Sequence, residues 1–65
     1  MQVGSRVESL YQNRWWCGTV TKHPDDDSSE YPGQWGVQCD EDEEDVLTYC
    51  IYENMRLLLT LTLSL

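Results

Sequence analysis

Short runs of β-branched and aromatic residues, each ended by turn-forming residues, divide this chain into small pieces. No stretch places apolar residues at helical spacing, so no long amphipathic helix is predicted. We predict strands at residues 6–11, 14–22, 34–39 and 46–51, a single helical turn at 52–55, and a strand-like stretch over 56–65. Four to five short strands in 65 residues indicate one small all-β barrel, closed by contact between the first and last strands.

Alternation along these strands assigns their side chains to the two faces of the sheet. In the second strand, Trp16, Gly18 and Val20 share one face, whereas Trp15 and Cys17 share the other. Gly18 gives room where the strands of a small barrel bend tightly. The predicted core takes apolar residues from every part of the barrel: Val7, Val20, Val37, Leu47, Ile51 and Met55.

Twelve acidic side chains against four basic ones give the chain a net charge of −8. Because phosphate binding needs clustered Lys and Arg, we expect no nucleic-acid partner, and a basic peptide is favoured instead. Most of the acid lies in a predicted loop over residues 23–33 and in the run DEDEED at 40–45. No segment approaches the roughly 20 apolar residues that cross a bilayer, so we expect no membrane partner.

Metal binding and thiol catalysis are the chemical alternatives. The donors of a zinc site are available in Cys17, Cys39, Cys50 and His23, but the close cysteine pairs of such a site are missing. Three cysteines without close pairs fit a reduced intracellular protein. Neither DDDSSE nor DEDEED has the alternating ligands and glycine of a calcium loop. His23 stands in an acidic loop, a poor setting for a thiolate nucleophile. We therefore expect no metal site, no cofactor and no enzymatic activity.

The order of several short motifs matches a known pattern. These motifs are Gly4-x-x-Val7-x-x-x-Tyr11, then Trp15-Trp16-x-Gly18-x-Val20, then Val37-x-x-Asp40 and Glu53-x-x-Arg56-Leu57. Over roughly residues 3–58 the chain resembles the Tudor and Agenet domains of the Royal superfamily, a branch of the SH3-like barrels. The stretch WWCGTV, followed by Tyr31-Pro32 and Trp35, is similar to the Tudor-like module of bromodomain–WD-repeat proteins.

This resemblance implies a non-catalytic module that recognises methylated lysine or arginine in basic, histone-like tails on chromatin, in the nucleus. By matching position, Tyr11 and Trp16 would be the first two walls of the family's aromatic cage. The usual third and fourth positions fall near Cys39 and residues 40–42, which are not aromatic here. Further candidates are the rings of Trp15, Trp35 and Tyr31 and the carboxylates of Asp40, Glu41 and Asp42.

The alternative function is that of a scaffold or interaction domain with an incomplete cage, which docks a partner protein or self-associates. The stretch from Leu57 to Leu65 (LLLTLTLSL) ends in an alternation of Leu with Thr and Ser, and an exposed apolar strand of this kind pairs with other chains. We expect it to pair within the barrel to about Leu61. The barrel is accordingly placed at residues 3–61, and the tail at 62–65 is expected to be disordered or to contact a neighbouring molecule.

Overall fold

The computed structural model of the protein describes residues 1–58. They form a five-stranded antiparallel sheet, curled into a half-barrel, with the strand order β4-β3-β2-β1-β5. The strands are β1 (Arg6–Tyr11), β2 (Arg14–Lys22), β3 (Trp35–Cys39), β4 (Thr48–Cys50) and β5 (Met55–Leu57), and a 3-10 turn at Tyr52–Asn54 precedes β5. The predicted all-β, SH3-like class is confirmed. No helix within this described part is long and apolar enough to cross a membrane.

A two-residue turn joins β1 to β2 and sets their register. Gln12 and Asn13 both have positive φ, 52° and 64°, as a type I′ hairpin turn requires. Tyr11 therefore lies opposite Arg14, and Ser9 lies opposite Trp16. Because alternate residues of a strand share a face, the turn decides which side chains of β1 and β2 point inward.

The core lies on the inner face of the sheet, which we define by the fully buried Val7, Val20 and Val37. These residues come from β1, β2 and β3, and Val20 lies directly opposite Val37. Met55 from β5 is also buried. Four of the predicted core positions are thus confirmed, and valine suits them because β-branched side chains pack well on a pleated surface.

The prediction was wrong for Ile51, which is 47% exposed, and Leu47 is only partly buried. The cause is the phase of the alternation in β4 (Thr48–Cys50), because Cys50 faces the core, whereas the prediction had placed the odd-numbered Leu47 and Ile51 there. Alternation in this short strand turns Cys50 into the core, so the next residue points away. Cys39 and Cys50 occupy core positions that the sequence analysis had not assigned.

Pairing with β1 places β5 at one edge of the half-barrel, whose other edge is β4. Val7 lies opposite Leu57 and Ser9 opposite Met55, and the amide of Leu58 donates to the carbonyl of Arg6 at 2.9 Å. The predicted contact between the first and last strands is confirmed, but within residues 1–58 β4 and β5 do not pair, so the sheet stays open there. The expected pairing to about Leu61, the tail at 62–65 and most of the proposed self-association strand lie outside the described residues.

Gly18 allows β2 and β3 to approach closely, and this generates a stability prediction. A Cβ atom at this position would lie 2.6 Å from the carbonyl oxygen of Gln38 and 2.9 Å from the Cα of Cys39. Both are backbone atoms, so the strands would have to separate. We expect Gly18→Ala to lower the free energy of unfolding by about 1–3 kcal/mol, measured by urea denaturation with tryptophan fluorescence.

The exposed Cys17 of the same strand provides the matched control. Cys17→Ala is expected to change the free energy of unfolding by no more than about 0.5 kcal/mol. A Gly18→Ala protein as stable as the wild type would contradict the close approach of the two strands.

Candidate functional site

An open cleft of about 680 Å³ brings together residues from the β1–β2 hairpin, from the β2–β3 loop and from the segment that runs from Cys39 into β4. Four of its lining residues are aromatic, namely Tyr11, Trp16, Tyr31 and Tyr49, and Asp42 contributes a carboxylate. The remaining lining residues are Gln12, Gln34, Cys39, Val46, Leu47 and Thr48.

Tyr11 and Trp16 form the part of the cleft that is anchored to the sheet. They come from adjacent strands, and the indole Nε1 of Trp16 donates a hydrogen bond to the carbonyl of Tyr11 at 3.2 Å. Trp16 also packs against the core, whereas Tyr11 is 53% exposed. The indole is therefore held in a fixed orientation, with the phenol beside it open to solvent.

Tyr31 and Tyr49 form a second aromatic pair. Their ring centroids are 4.8 Å apart and their planes are tilted by 57°, a favourable geometry for aromatic rings. Tyr49 lies opposite Gly36, and a Cβ there would come within 3.1 Å of the Tyr49 ring. The glycine therefore leaves room for the ring, which in turn holds the loop residue Tyr31 at the cleft.

Sequence reasoning did not identify Tyr49 as a site residue. Its contact with Tyr31 joins a loop to a strand 18 positions further along the chain, and no local pattern reveals such a pairing. The available signal was Gly36, since a glycine within a strand often receives an aromatic ring from the neighbouring strand.

Negative charge is concentrated in the two loops that contribute to the cleft. Ten of the 12 acidic residues lie there, four in the β2–β3 loop and six at residues 40–45. In the described part of the chain, two of the ten pair with a Lys or Arg: Asp26 with Lys22 and Asp40 with Arg6. Asp42 lines the cleft, and the other unpaired carboxylates make these two loops strongly anionic.

Asp40 and Glu41 do not line the cleft. The guanidinium of Arg6 binds both carboxylate oxygens of Asp40 and also donates to the hydroxyl of Thr19 at 2.8 Å. This hydrogen bonding holds the pKa of the Asp40 carboxyl below its usual range and raises the pKa of Arg6. Asp40 thus ties β3 to β1 and β2, while Glu41 is exposed in the loop.

Trp15 and Trp35 also lie away from the cleft. Trp15 is on the outer face, opposite to the core, where the guanidinium carbon of Arg56 sits 3.7 Å from its ring centroid. Trp35 packs against the core, and the ring of His23 contacts it edge-on, with the two ring centroids 4.8 Å apart. The structure therefore brings together four of the eight candidates: Tyr11, Trp16, Tyr31 and Asp42.

No protein-family model matches the chain, and no curated protein or solved structure matches it either. The likeness to Tudor and Agenet domains therefore rests on the residue order given above. Among residues 1–58, no group of three or more His, Cys, Asp or Glu side chains is arranged to hold a metal ion.

The three cysteines differ in accessibility, which predicts their reactivity. Cys17 is exposed, whereas Cys39 and Cys50 are buried, and burial raises the pKa of Cys50 to about 11. Because the thiolate is the reactive form, iodoacetamide at neutral pH should modify Cys17 alone in the folded protein and all three cysteines in urea. Peptide mass spectrometry reads out the sites, and rapid alkylation of Cys50 in the folded protein would contradict its burial.

The Arg6–Asp40 pair predicts a pH effect. A carboxyl whose pKa is lowered in the folded state adds stability above its unfolded pKa, and this stability is lost as the pH falls through the folded pKa. Arg6→Gln should raise the pKa of Asp40 towards its ordinary value and remove this part of the acid sensitivity. NMR titration of the side-chain carboxyl carbon measures the pKa of Asp40 directly.

Asp26 is the internal control for this titration. Hydrogen bonds from the hydroxyl and the amide of Ser28 lower the pKa of Asp26, and Arg6 plays no part in them. Its titration should therefore be the same in the wild type and in Arg6→Gln. An Asp40 curve that also stayed unchanged would show that the ion pair does not persist in solution.

Proposed function

We propose that this protein is a non-catalytic binding module that recognises methylated lysine or arginine in basic, histone-like tails on chromatin, in the nucleus. The observation that carries the proposal is that Tyr11, Trp16, Tyr31 and Tyr49 line one open cleft together with Asp42. The volume of about 680 Å³ lies within the range of small-ligand sites. It is ample for an alkylammonium side chain.

Aromatic rings distinguish a methylated ammonium from an ordinary one. Methylation keeps the positive charge but removes N–H donors and weakens hydration, so the group leaves water more readily. Ring faces then attract it by cation–π interaction, worth about 0.5–2 kcal/mol depending on how far it is desolvated. An unmodified lysine ammonium is strongly hydrated and gains less from the same rings.

The carboxylates supply a second, less specific attraction. Asp42 lines the cleft, and the side-chain amide of Gln38 holds this loop by donating to the backbone carbonyl of Glu43 at 2.7 Å. A positioned carboxylate accepts a hydrogen bond from any N–H that methylation leaves. The surrounding acidic loops attract basic residues on either side of the methylated one, and salt weakens this attraction.

Peptide titration tests the proposal. The probes are basic dodecapeptides with a central lysine that is unmodified, dimethylated or trimethylated, and a further peptide with the neutral carbon isostere of trimethyllysine. We expect the methylated peptides to bind about two- to thirtyfold more tightly than the unmodified and neutral ones. Isothermal titration calorimetry gives the dissociation constants, and an equivalent arginine series tests methylated guanidinium.

Trp15 and Trp16 provide a matched pair of variants. They are adjacent in sequence but lie on opposite faces, so Trp16→Leu should abolish the preference for methylated peptides, whereas Trp15→Leu should retain it. Tyr31→Leu should reduce the preference without disturbing the sheet. Circular dichroism confirms folding.

Two outcomes would remove the aromatic-cage hypothesis. One is equal binding of all peptides by the wild type, which would leave a domain that docks basic partners through its acidic loops alone. The other is the same loss of preference in Trp15→Leu as in Trp16→Leu.

A further inference from the structure

We infer that Arg14 is a built-in competitor for a ligand cation on the ring of Trp16, an inference that rests on the proposed function. Its guanidinium carbon lies 4.1 Å from the ring centroid of Trp16, within the distance of a cation–π contact. The hairpin turn produces this arrangement. Arg14 follows Asn13 directly, and alternation places it on the same face as Trp16, two residues later.

Arg14 differs from every other Lys and Arg of the chain. Arg6, Lys22 and Arg56 each lie within 4.0 Å of a carboxylate oxygen. Among residues 1–58 no carboxylate comes within that distance of Arg14, although the chain carries a net charge of −8. The indole is therefore the partner that the structure gives this guanidinium, and an exposed cation–π contact is weak, about 0.5–1 kcal/mol.

The same ring is also held by two other contacts. The Nε1 of Trp16 is bonded to the carbonyl of Tyr11, and the indole packs against the core. Trp16 lines the cleft, whereas Arg14 is not among its lining residues. A ligand cation that stacks on the ring face covered by Arg14 must therefore take the place of the guanidinium.

This exchange specifies the ligand more closely. The binding free energy that a ligand gains from the ring alone is offset by the loss of the Arg14 contact, so an isolated methylated amino acid binds weakly. A methylated residue within a basic segment gains in addition from the acidic loops. The cleft is thus suited to methylated residues flanked by Lys or Arg, and Arg14 sets the threshold for binding.

The test uses Arg14→Gln and Arg14→Lys with the unmodified and trimethylated dodecapeptides. Lysine keeps the positive charge but is strongly hydrated and stacks poorly on a ring, so it separates competition for the ring from simple charge repulsion. We expect both variants to bind the trimethylated peptide about two- to fivefold more tightly than the wild type. In Arg14→Lys the unmodified peptide should bind as it does to the wild type.

A gain in Arg14→Gln with none in Arg14→Lys would assign the effect to charge and overturn the inference. Affinities of both variants equal to that of the wild type, with methyl preference retained, would overturn it while leaving the proposed function intact. Absence of methyl preference in the wild type and in both variants would overturn the inference and the proposed function together.

NMR gives an independent readout. The Cδ protons of Arg14 should be shifted upfield by the ring current of Trp16 in the free protein and should return towards ordinary values as the trimethylated peptide is added. Arg56, stacked on Trp15 on the outer face, is the control and should keep its shift. An Arg14 signal that stays shifted at saturation would show that the ligand does not use this face of the ring.

Discussion

The register of β2 against its neighbours determines both the stability and the candidate site of this protein. Along this one strand, Val20 enters the core, Gly18 allows β3 to approach, and Trp16 enters the cleft. A slip of one residue would bring Trp15 inward and turn all three outward. The type I′ turn at residues 12–13 opposes such a slip, because it fixes the pairing of Tyr11 with Arg14. Folding and recognition therefore depend on the same backbone constraint.

The distribution of charge separates the outer face from the cleft. On the outer face, Arg6 binds Asp40 and Arg56 binds Glu8, so these acids tie strands together. At the cleft, most loop carboxylates have no Lys or Arg partner among the described residues. Their mutual repulsion opposes the compact state, and a basic ligand would relieve it. Binding and folding would then be linked, with the ligand stabilising the barrel.

The sequence predicted those features that depend on neighbours along the chain. Strand alternation identified Val7, Val20 and Val37 as core and separated Trp15 from Trp16, because a period of two residues is a local property. The features that it missed depend on distant contacts or on which face of a strand packs inward. Ile51 was misassigned because its neighbour Cys50 turns into the core, so alternation directs Ile51 away from it. Tyr49 was overlooked because its role comes from a loop residue, Tyr31, that folds back onto it.

Trp15 and Trp16 are adjacent, and an arginine stacks on each of them, but the two contacts differ in how easily another cation can replace the arginine. On the outer face, Arg56 stacks on Trp15 and is also held by Glu8 at 2.9 Å, so its removal would leave a carboxylate without a partner. On the inner face, Arg14 stacks on Trp16 with no carboxylate of the described residues to hold it. The first arrangement resists exchange because two interactions must break together. The second presents a ring whose cation is replaceable, and this is the physical requirement for a site that binds and releases a cationic side chain.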